Sequence, residues 1–128
     1  MPLPILVVED NNINREVAIL QLRALGFVSQ TASDGNEALQ AIKAQQFALI
    51  LMDVMMPSMD GWEASRKIRE FEEGLDRRTP IIAVSAWSAS DNRERCISSG
   101  MDDYLDKPYD RAALKQVLDR WVTADVSS

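Results

Sequence analysis

Histidine is missing from the 128-residue chain, and cysteine occurs once, as Cys96. Without histidine the chain cannot build His-ligated zinc sites, Ser-His-Asp or Cys-His catalytic groups, or a phosphohistidine of its own. A single cysteine cannot form an internal disulfide and is typical of the reducing cytoplasm. The 20 acidic residues outnumber the 14 basic ones, for a net charge of −6. Because nucleic acid and anionic membranes would repel that charge, neither is expected as a direct partner.

Long hydrophobic runs are also missing. The apolar N-terminal run has no basic residues before it and stops at Glu9 and Asp10, unlike a signal peptide. No run approaches the roughly 18 apolar residues of a membrane span. The length fits one domain over residues 1–128, with a core at about 4–122 and a tail at 123–128. We therefore expect any second functional domain to belong to a partner or to a longer parent chain.

Short apolar runs predict five strands along the chain. They are Pro4 to Val8, Phe27 to Thr31, Ala48 to Met52, Pro80 to Val84 and Asp103 to Leu105. Several of these runs do not alternate with polar residues, as expected for parallel strands covered on both faces. A helical pattern follows each strand, which predicts a doubly wound α/β sheet with right-handed crossovers.

The five predicted helices are marked by apolar residues at helical spacing. The residues expected on their core faces are Ile13, Val17, Leu20 and Ala24; Ala38, Leu39 and Ile42; Ala64, Ile68 and Phe71; Cys96 and Ile97; and Leu114, Val117, Leu118 and Trp121. Gly26 predicts the end of the first helix, Asp34 with Glu37 predicts a capping box for the second, and Ser90 or Asp91 begins the fourth. The charged segment 72–79 is interpreted as a solvated turn.

Acidic, hydroxyl and basic residues stand at the strand ends. They are Glu9 and Asp10 after the first strand, Asp53 after the third, Ser85 after the fourth and Lys107 after the fifth. Because ligands of such sheets bind beyond the carboxyl ends of the strands, we expect these side chains to share one pocket. Three carboxylates without His or Cys favour a hard cation, Mg²⁺ or Mn²⁺. An Asp carboxylate can then be the nucleophile in phosphoryl transfer, with the ammonium and the hydroxyl on the transferred oxygens.

Four segments carry a resemblance to a known family: Val8 to Asn11, Leu51 to Gly61, Ile82 to Ala86, and Gly100 to Pro108. In this order and spacing they resemble the receiver domains of two-component response regulators. The match runs from about residue 4 to residue 122. It implies a flavodoxin-like sheet of five parallel strands in the order 2-1-3-4-5, with five helices.

The resemblance also implies a role for each site residue. Asp53 would accept the phosphoryl group. The metal would be held by Asp10, Asp53 and the backbone carbonyl of Met55, with Glu9 binding a metal-bound water. The phosphoryl group would be bound by Lys107 and Ser85. The switch residues would be Ser85 and Tyr104. The Lys107-Pro108 peptide is a candidate for the cis form.

The partner implied by this resemblance is a histidine kinase or a histidine phosphotransfer domain. Residues 9–15, 59–64 and 100–108 resemble the receivers attached to hybrid histidine kinases more than stand-alone regulators. Phosphorylation would bias the face formed by the fourth helix, the fifth strand and the fifth helix. A homodimer is left open.

Two positions depart from the commonest receiver pattern. Ser85 stands where Thr is more frequent, and Trp87 stands where the residue is usually small or polar. Trp87 and Met55 are therefore candidates for gating water at the pocket, while Trp87 as simple cover for apolar surface is the alternative.

An Asp-nucleophile phosphatase would usually need a second Asp where this chain has Met55. A flavin or nucleotide carrier would need a Gly-rich phosphate loop, and the chain has no such loop. A degenerate receiver would lack an acceptor, metal or Lys position, and in this chain all of these positions are occupied.

Overall fold

The computed structural model describes residues 3–54, 59–75, 77–85, 93–107 and 109–126. Strands and helices alternate along them: β1 (Ile5–Val8), α1 (Asn12–Ala24), β2 (Ser29–Ala32), α2 (Gly35–Ala44), β3 (Leu49–Asp53), α3 (Gly61–Glu72), β4 (Ile81–Ser85), α4 (Arg93–Ser98), β5 (Asp103–Asp106) and α5 (Arg111–Val126). All strand pairs are parallel, and the sheet order is β2-β1-β3-β4-β5. The predicted fold class and strand order are confirmed.

The sheet carries a hydrophobic core on each face, because successive side chains of a strand point to opposite sides. On one face Leu6, Ile50 and Ile81 pack with residues of α2, α3 and α4. On the other face Ile5 and Leu49 pack with residues of α1 and α5. Both faces of the central strands are therefore dry, which explains why β1, β3 and β4 are apolar without alternation.

Local capping sets the ends of the first two helices. Gly26, at φ +91°, follows α1 and supports a Schellman motif, in which the Gly26 amide donates to Arg23 O and the Phe27 amide donates to Leu22 O. The Asp34 carboxylate accepts from the Glu37 amide at 2.8 Å, and the Glu37 carboxylate accepts from the Ser33 amide at 2.8 Å. The predicted C-cap and the predicted pairing of Asp34 with Glu37 at the start of α2 are confirmed.

The predicted core face of α1 is wrong. Ile13, Val17 and Leu20 are 73%, 48% and 59% exposed, whereas Ala18 and Leu22 are buried against the sheet; Ala24 is exposed as well. The helix has apolar residues on two faces, so periodicity identifies a helix without saying which face meets the sheet. Three exposed side chains thus form an apolar face on α1, namely Ile13, Val17 and Leu20.

The other helices bury most of the residues that were predicted to face the core. Leu114, Val117 and Leu118 are buried in α5, while Ile97 of α4 is 60% exposed. The observed strands lie within two residues of the predicted bounds, and β2, β3, β4 and β5 each end one residue later than predicted. Helix α5 continues to Val126, past the predicted end of the core at residue 122. The predicted start of α4 at Ser90 or Asp91 lies outside the described residues.

Segment 72–79 is not simply a solvated turn, because both of its ends are buried. Glu72 and Thr79 are each 5% exposed, and the Thr79 amide donates to the Glu72 carboxylate at 2.9 Å. The Arg69 guanidinium binds Glu72 at 2.7 Å and Asp102 at 2.6 Å, and Arg78 binds Asp102 at 2.7 Å. This Arg69 network, comprising Arg69, Glu72, Arg78 and Asp102, joins the end of α3 to the start of β4 and the turn before β5.

In the described part of the chain, every helix is too short or too polar to cross a membrane.

Candidate functional site

The structure brings the three predicted carboxylates together at the carboxyl edge of the sheet. Glu9 and Asp10 follow β1, and Asp53 is the last residue of the adjacent strand β3. One carboxylate oxygen from each of the three lies within 4.8 Å of the others. Glu9 and Asp53 are each 6% exposed, whereas Asp10 is exposed at the mouth of the site.

Lys107 supplies the positive charge of this cluster. Its Nζ donates to Glu9 Oε1 at 2.6 Å and to Asp53 Oδ2 at 3.4 Å. The Lys107 backbone amide donates to Ser85 O at 2.7 Å, so the end of β4 holds the start of the β5–α5 loop in place. The predicted juxtaposition of Glu9, Asp10, Asp53 and Lys107 is therefore present.

The end of β3 is held from the side by the first turn of α3. Asp60 caps this helix by accepting from the Glu63 amide at 2.9 Å, as expected for a strand-to-helix connection. The Gly61 amide then donates to Val54 O at 3.0 Å. A Cβ on Gly61 would lie 2.6 Å from the backbone oxygen of Asp53, so only glycine lets the helix start so close to the strand.

The loop between β1 and α1 is fixed by polar contacts. The Asn11 side chain caps α1 by accepting from the Asn14 amide at 2.9 Å. The Asn11 amide donates to the Glu9 carboxylate at 3.3 Å. Arg15 reaches back from α1, donating from Nη1 to Glu9 O at 2.8 Å and from Nη2 to the Asn12 side chain.

Electrostatics keep Glu9 ionised and Lys107 protonated. Burial is the largest single influence on Glu9 and opposes its charge. The contacts with Lys107 and Asp53, the charge of Lys107 and the Asn11 amide act in the other direction, and together they lower the pKa of Glu9. For Lys107, burial likewise favours the neutral form, yet the hydrogen bond to Glu9 and the charge of Asp53 raise its pKa. Glu9 and Lys107 thus form a partly buried ion pair beside Asp53.

Tyr109 closes one side of the site, and sequence reasoning missed it. A cleft of ≈ 440 Å³ lies beside the carboxylates and is lined by Val17, Leu51 and Tyr109 among others. Burial, followed by the charge of Glu9, raises the pKa of Tyr109 to about 12. Its phenol therefore stays neutral beside the charged cluster; the available signal was its place two residues after Lys107.

The donor set fits a magnesium ion. Mg²⁺ takes oxygen ligands at about 2.0–2.1 Å in an octahedron, so opposite ligands lie about 4.2 Å apart. The carboxylate oxygens of Glu9, Asp10 and Asp53, within 4.8 Å of one another, need small movements or one bridging water to reach that geometry. The three carboxylates and Lys107 sum to a charge of about −2, which a divalent cation would neutralise.

The two predicted switch residues lie on neighbouring strands beside this cluster. Ser85 is the last residue of β4 and is 3% exposed. Tyr104 is half-buried on β5, opposite Ala83, and packs against the core formed with α2, α3 and α4. Their placement is compatible with the predicted switch, and their roles stay predictions.

Three predictions concern residues outside the described ranges. These are the Met55 carbonyl as a metal ligand, Met55 and Trp87 as gates, and the cis form of the Lys107-Pro108 peptide.

Comparison with known proteins gives a consistent assignment. The family model of the response regulator receiver domain matches residues 5–119. The hybrid signal transduction protein dokA of Dictyostelium discoideum is 41% identical over 121 residues, which cover 94% of this chain and 7% of dokA. The chain spans between 7% and 15% of the length of the curated relatives it matches.

Solved structures agree with this match. The receiver domain of the sensor histidine kinase PA1611 from Pseudomonas aeruginosa, with a magnesium ion coordinated in its active site cleft, is 42% identical, with a TM-score of 0.85 over 96% of this chain and 99% of that one. A second similar structure is the complex of the histidine phosphotransfer protein Ypd1 with the receiver domain of Ssk1, both from Saccharomyces cerevisiae. The matching chain is 31% identical, with a TM-score of 0.87 over 97% of this chain and 91% of that chain. With its acidic edge, its parallel sheet and these matches, the chain belongs to the family of response regulator receiver domains.

Proposed function

We propose that Asp53 accepts a phosphoryl group from the phosphohistidine of a partner protein in a magnesium-dependent reaction. The observation that carries the proposal is the cluster of the Glu9, Asp10 and Asp53 carboxylates, with Lys107 Nζ 2.6 Å from Glu9 and 3.4 Å from Asp53. An Asp carboxylate in such a cluster can attack phosphorus, forming an oxygen–phosphorus bond as the nitrogen–phosphorus bond breaks and its electron pair returns to the imidazole.

The residues of the site would divide the work. Asp10 and Asp53 would hold Mg²⁺, with Glu9 ligating through water and the Met55 carbonyl completing the protein ligands. Bound Mg²⁺ would supply charge neutralisation to the phosphoryl oxygens. Lys107 would pair with a phosphoryl oxygen that carries added negative charge, and the Ser85 hydroxyl would donate to another.

The Lys107 contacts imply a change of partner during the reaction. In the structure its ammonium lies closer to Glu9 than to Asp53. A doubly charged phosphoryl group on Asp53 would attract the ammonium more strongly than a single carboxylate does. We infer that Lys107 moves from Glu9 toward the phosphorylated Asp53. The added phosphoryl oxygens would draw in the Ser85 hydroxyl and shift Tyr104, which would bias the face formed by α4, β5 and α5.

The donor is inferred to be a histidine kinase or a histidine phosphotransfer domain. The matches to histidine kinases and to an Ssk1 receiver crystallised with Ypd1 support that class of partner. The apolar face of α1 supports it as well, because its three exposed side chains lie on the helix that follows Glu9 and Asp10. Val17 belongs both to this face and to the lining of the cleft beside Asp53, so a partner covering the face would reach the carboxylates.

A parent hybrid kinase is part of the same proposal. The similarity to dokA, of which this chain matches 7%, supports a receiver joined to a larger signalling protein. By itself the domain would catalyse its own phosphotransfer and dephosphorylation. A cytoplasmic location and the absence of direct contact with nucleic acid or membrane stay predictions, and a homodimer stays open.

Incubation with acetyl phosphate and Mg²⁺, followed by intact-mass measurement, tests the function. We expect one phosphoryl adduct that requires Mg²⁺ and is lost in Asp53→Asn. Asp60→Asn is the matched control, since Asn also caps a helix and should keep the adduct. An adduct that persists in Asp53→Asn would refute the assignment of the acceptor.

A further inference from the structure

Arg15, in the first turn of α1, reaches back to the acidic loop that follows β1. Its Nη1 donates to the backbone oxygen of Glu9 at 2.8 Å, and its Nη2 donates to the Asn12 side chain. The guanidinium is half-buried and contacts the backbone of Glu9 rather than its carboxylate. It therefore acts on the site through the backbone that carries the carboxylates.

The bonded oxygen belongs to the peptide that joins Glu9 to Asp10. Because a peptide unit is planar and rigid, fixing its oxygen fixes the direction in which the chain enters Asp10. The Glu9 amide, on the preceding peptide, donates to Ala32 O at 3.0 Å in the sheet. The backbone on both sides of Glu9 is thus anchored, by β2 on one side and by Arg15 on the other.

Two opposite effects on a bound cation follow from this position. The positive charge of Arg15 would repel Mg²⁺, so that charge alone would weaken binding. The fixed Glu9–Asp10 peptide would hold both carboxylates in place before the metal arrives, which would strengthen binding. The planar fork of Arg reaches two acceptors at once, which a Lys ammonium on its flexible stem does less well.

We propose that Arg15 is a positioning residue for the metal site, and that its hydrogen bond to Glu9 O preorganises Glu9 and Asp10 for Mg²⁺. The inference rests on the proposed function in taking Mg²⁺ as the cation. Arg15 would act through the backbone of the β1–α1 loop and would contact neither the metal nor the phosphoryl group.

Calorimetric titration with MgCl₂ compares the wild type with Arg15→Gln and Arg15→Lys. Arg23→Gln is the control, since Arg23 is exposed in the last turn of the same helix. We expect Arg15→Gln to weaken Mg²⁺ binding about tenfold, the low end of the effect of removing a residue that orients metal ligands. Arg15→Lys should lie between this variant and the wild type, and Arg23→Gln should match the wild type.

A second measurement needs no metal. Hydrogen exchange of the Asp10 and Asn11 amides should be faster in Arg15→Gln, while amides of β4 keep their wild-type protection. Asn12→Ala, which removes the second acceptor of the guanidinium from an exposed position, should change both measurements in the same direction by less. This variant also tests the idea if Arg15→Gln does not fold.

The outcomes separate the explanations. Tighter Mg²⁺ binding in Arg15→Gln with no change in Arg15→Lys would show that Arg15 acts as a repelling charge, and would overturn the proposal. Affinities and exchange rates within twofold of the wild type in all Arg15 and Asn12 variants would overturn it too. A wild-type chain that binds no Mg²⁺ would instead refute the metal-dependent function, and the exchange rates would then judge the positioning of the loop by themselves.

Discussion

Replacing Arg69 by Met should destabilise the domain more than any change to an exposed ion pair. The Arg69 side chain is 15% exposed, and it donates to two backbone oxygens, Gly100 O at 2.9 Å and Thr79 O at 2.8 Å. It also pairs with Glu72 at 2.7 Å and with Asp102 at 2.6 Å. Met keeps most of the apolar stem, so the substitution removes these polar contacts while leaving little cavity.

The magnitude follows from what the substitution leaves behind. Two lost hydrogen bonds to backbone oxygens are worth about 1 kcal/mol each. The Glu72 carboxylate, 4% exposed, would keep the Thr79 amide but lose its cation, at a cost of about 1–3 kcal/mol. Asp102 would keep its ion pair with Arg78, so the loss of its contact with Arg69 adds less to the destabilisation. The expected loss is about 3–5 kcal/mol, the range found when one partner of a buried ion pair is removed.

Urea unfolding measures this loss. With a slope of about 2 kcal/mol per molar urea, the midpoint should fall by about 1.5–2.5 M with the slope unchanged. Lys115→Met is the control, because the Lys115–Asp119 pair has side chains 61% and 53% exposed. That variant should lose no more than about 0.5 kcal/mol.

A second substitution tests whether the buried charge is the cause. Glu72→Gln in the Arg69→Met background keeps an acceptor for the Thr79 amide and removes the uncompensated carboxylate, so it should restore part of the stability. In the wild-type background the same change should destabilise, because it removes the partner of Arg69. The reasoning would be refuted if Glu72→Gln changed the free energy of unfolding equally in both backgrounds. It would also be refuted if Arg69→Met lowered the urea midpoint by less than about 0.5 M.

Three further predictions concern the site and the first helix. Folding lowers the pKa of Glu9. The ionised Glu9 carboxylate therefore stabilises the fold at pH values above its unfolded-state pKa, and this stabilisation is lost as the pH falls through its folded-state pKa. The difference in unfolding free energy between the wild type and Glu9→Gln, measured with urea, should thus shrink from about pH 6 to pH 3. Gly61→Ala should displace the end of β3, because the new Cβ would lie 2.6 Å from the backbone oxygen of Asp53. We expect the free energy of unfolding to fall by about 1–3 kcal/mol and acetyl phosphate to phosphorylate Asp53 more slowly. A wild-type rate of phosphorylation would contradict this account. Leu22→Ala should cost about 2–5 kcal/mol in thermal or urea unfolding, whereas Leu20→Ala, at an exposed position, should stay within about 0.5 kcal/mol.

The sheet order could be predicted from the resemblance to receiver domains, and the meeting of the charged residues from the rule that ligands bind at the carboxyl ends of parallel strands. Glu9 and Lys107 are 98 positions apart, yet the parallel topology places their strand ends at one edge. The face of α1 could not be predicted, because Leu22 and Leu20 are equally apolar and only the packed sheet distinguishes them. The Arg69 network was missed because Arg69 and Asp102 are 33 positions apart and their surroundings look like ordinary surface charge.

The ion pair of Lys107 with Glu9 has a consequence for the order in which the domain becomes functional. During synthesis Glu9, Asp10 and Asp53 emerge well before Lys107, so an unfinished chain ending before β5 would carry three acids without their internal cation. Such a chain also lacks α5, which contributes Leu114 and Leu118 to one of the two cores. Competence for phosphorylation would therefore arrive only with β5 and α5, the last elements of the receiver fold to be made.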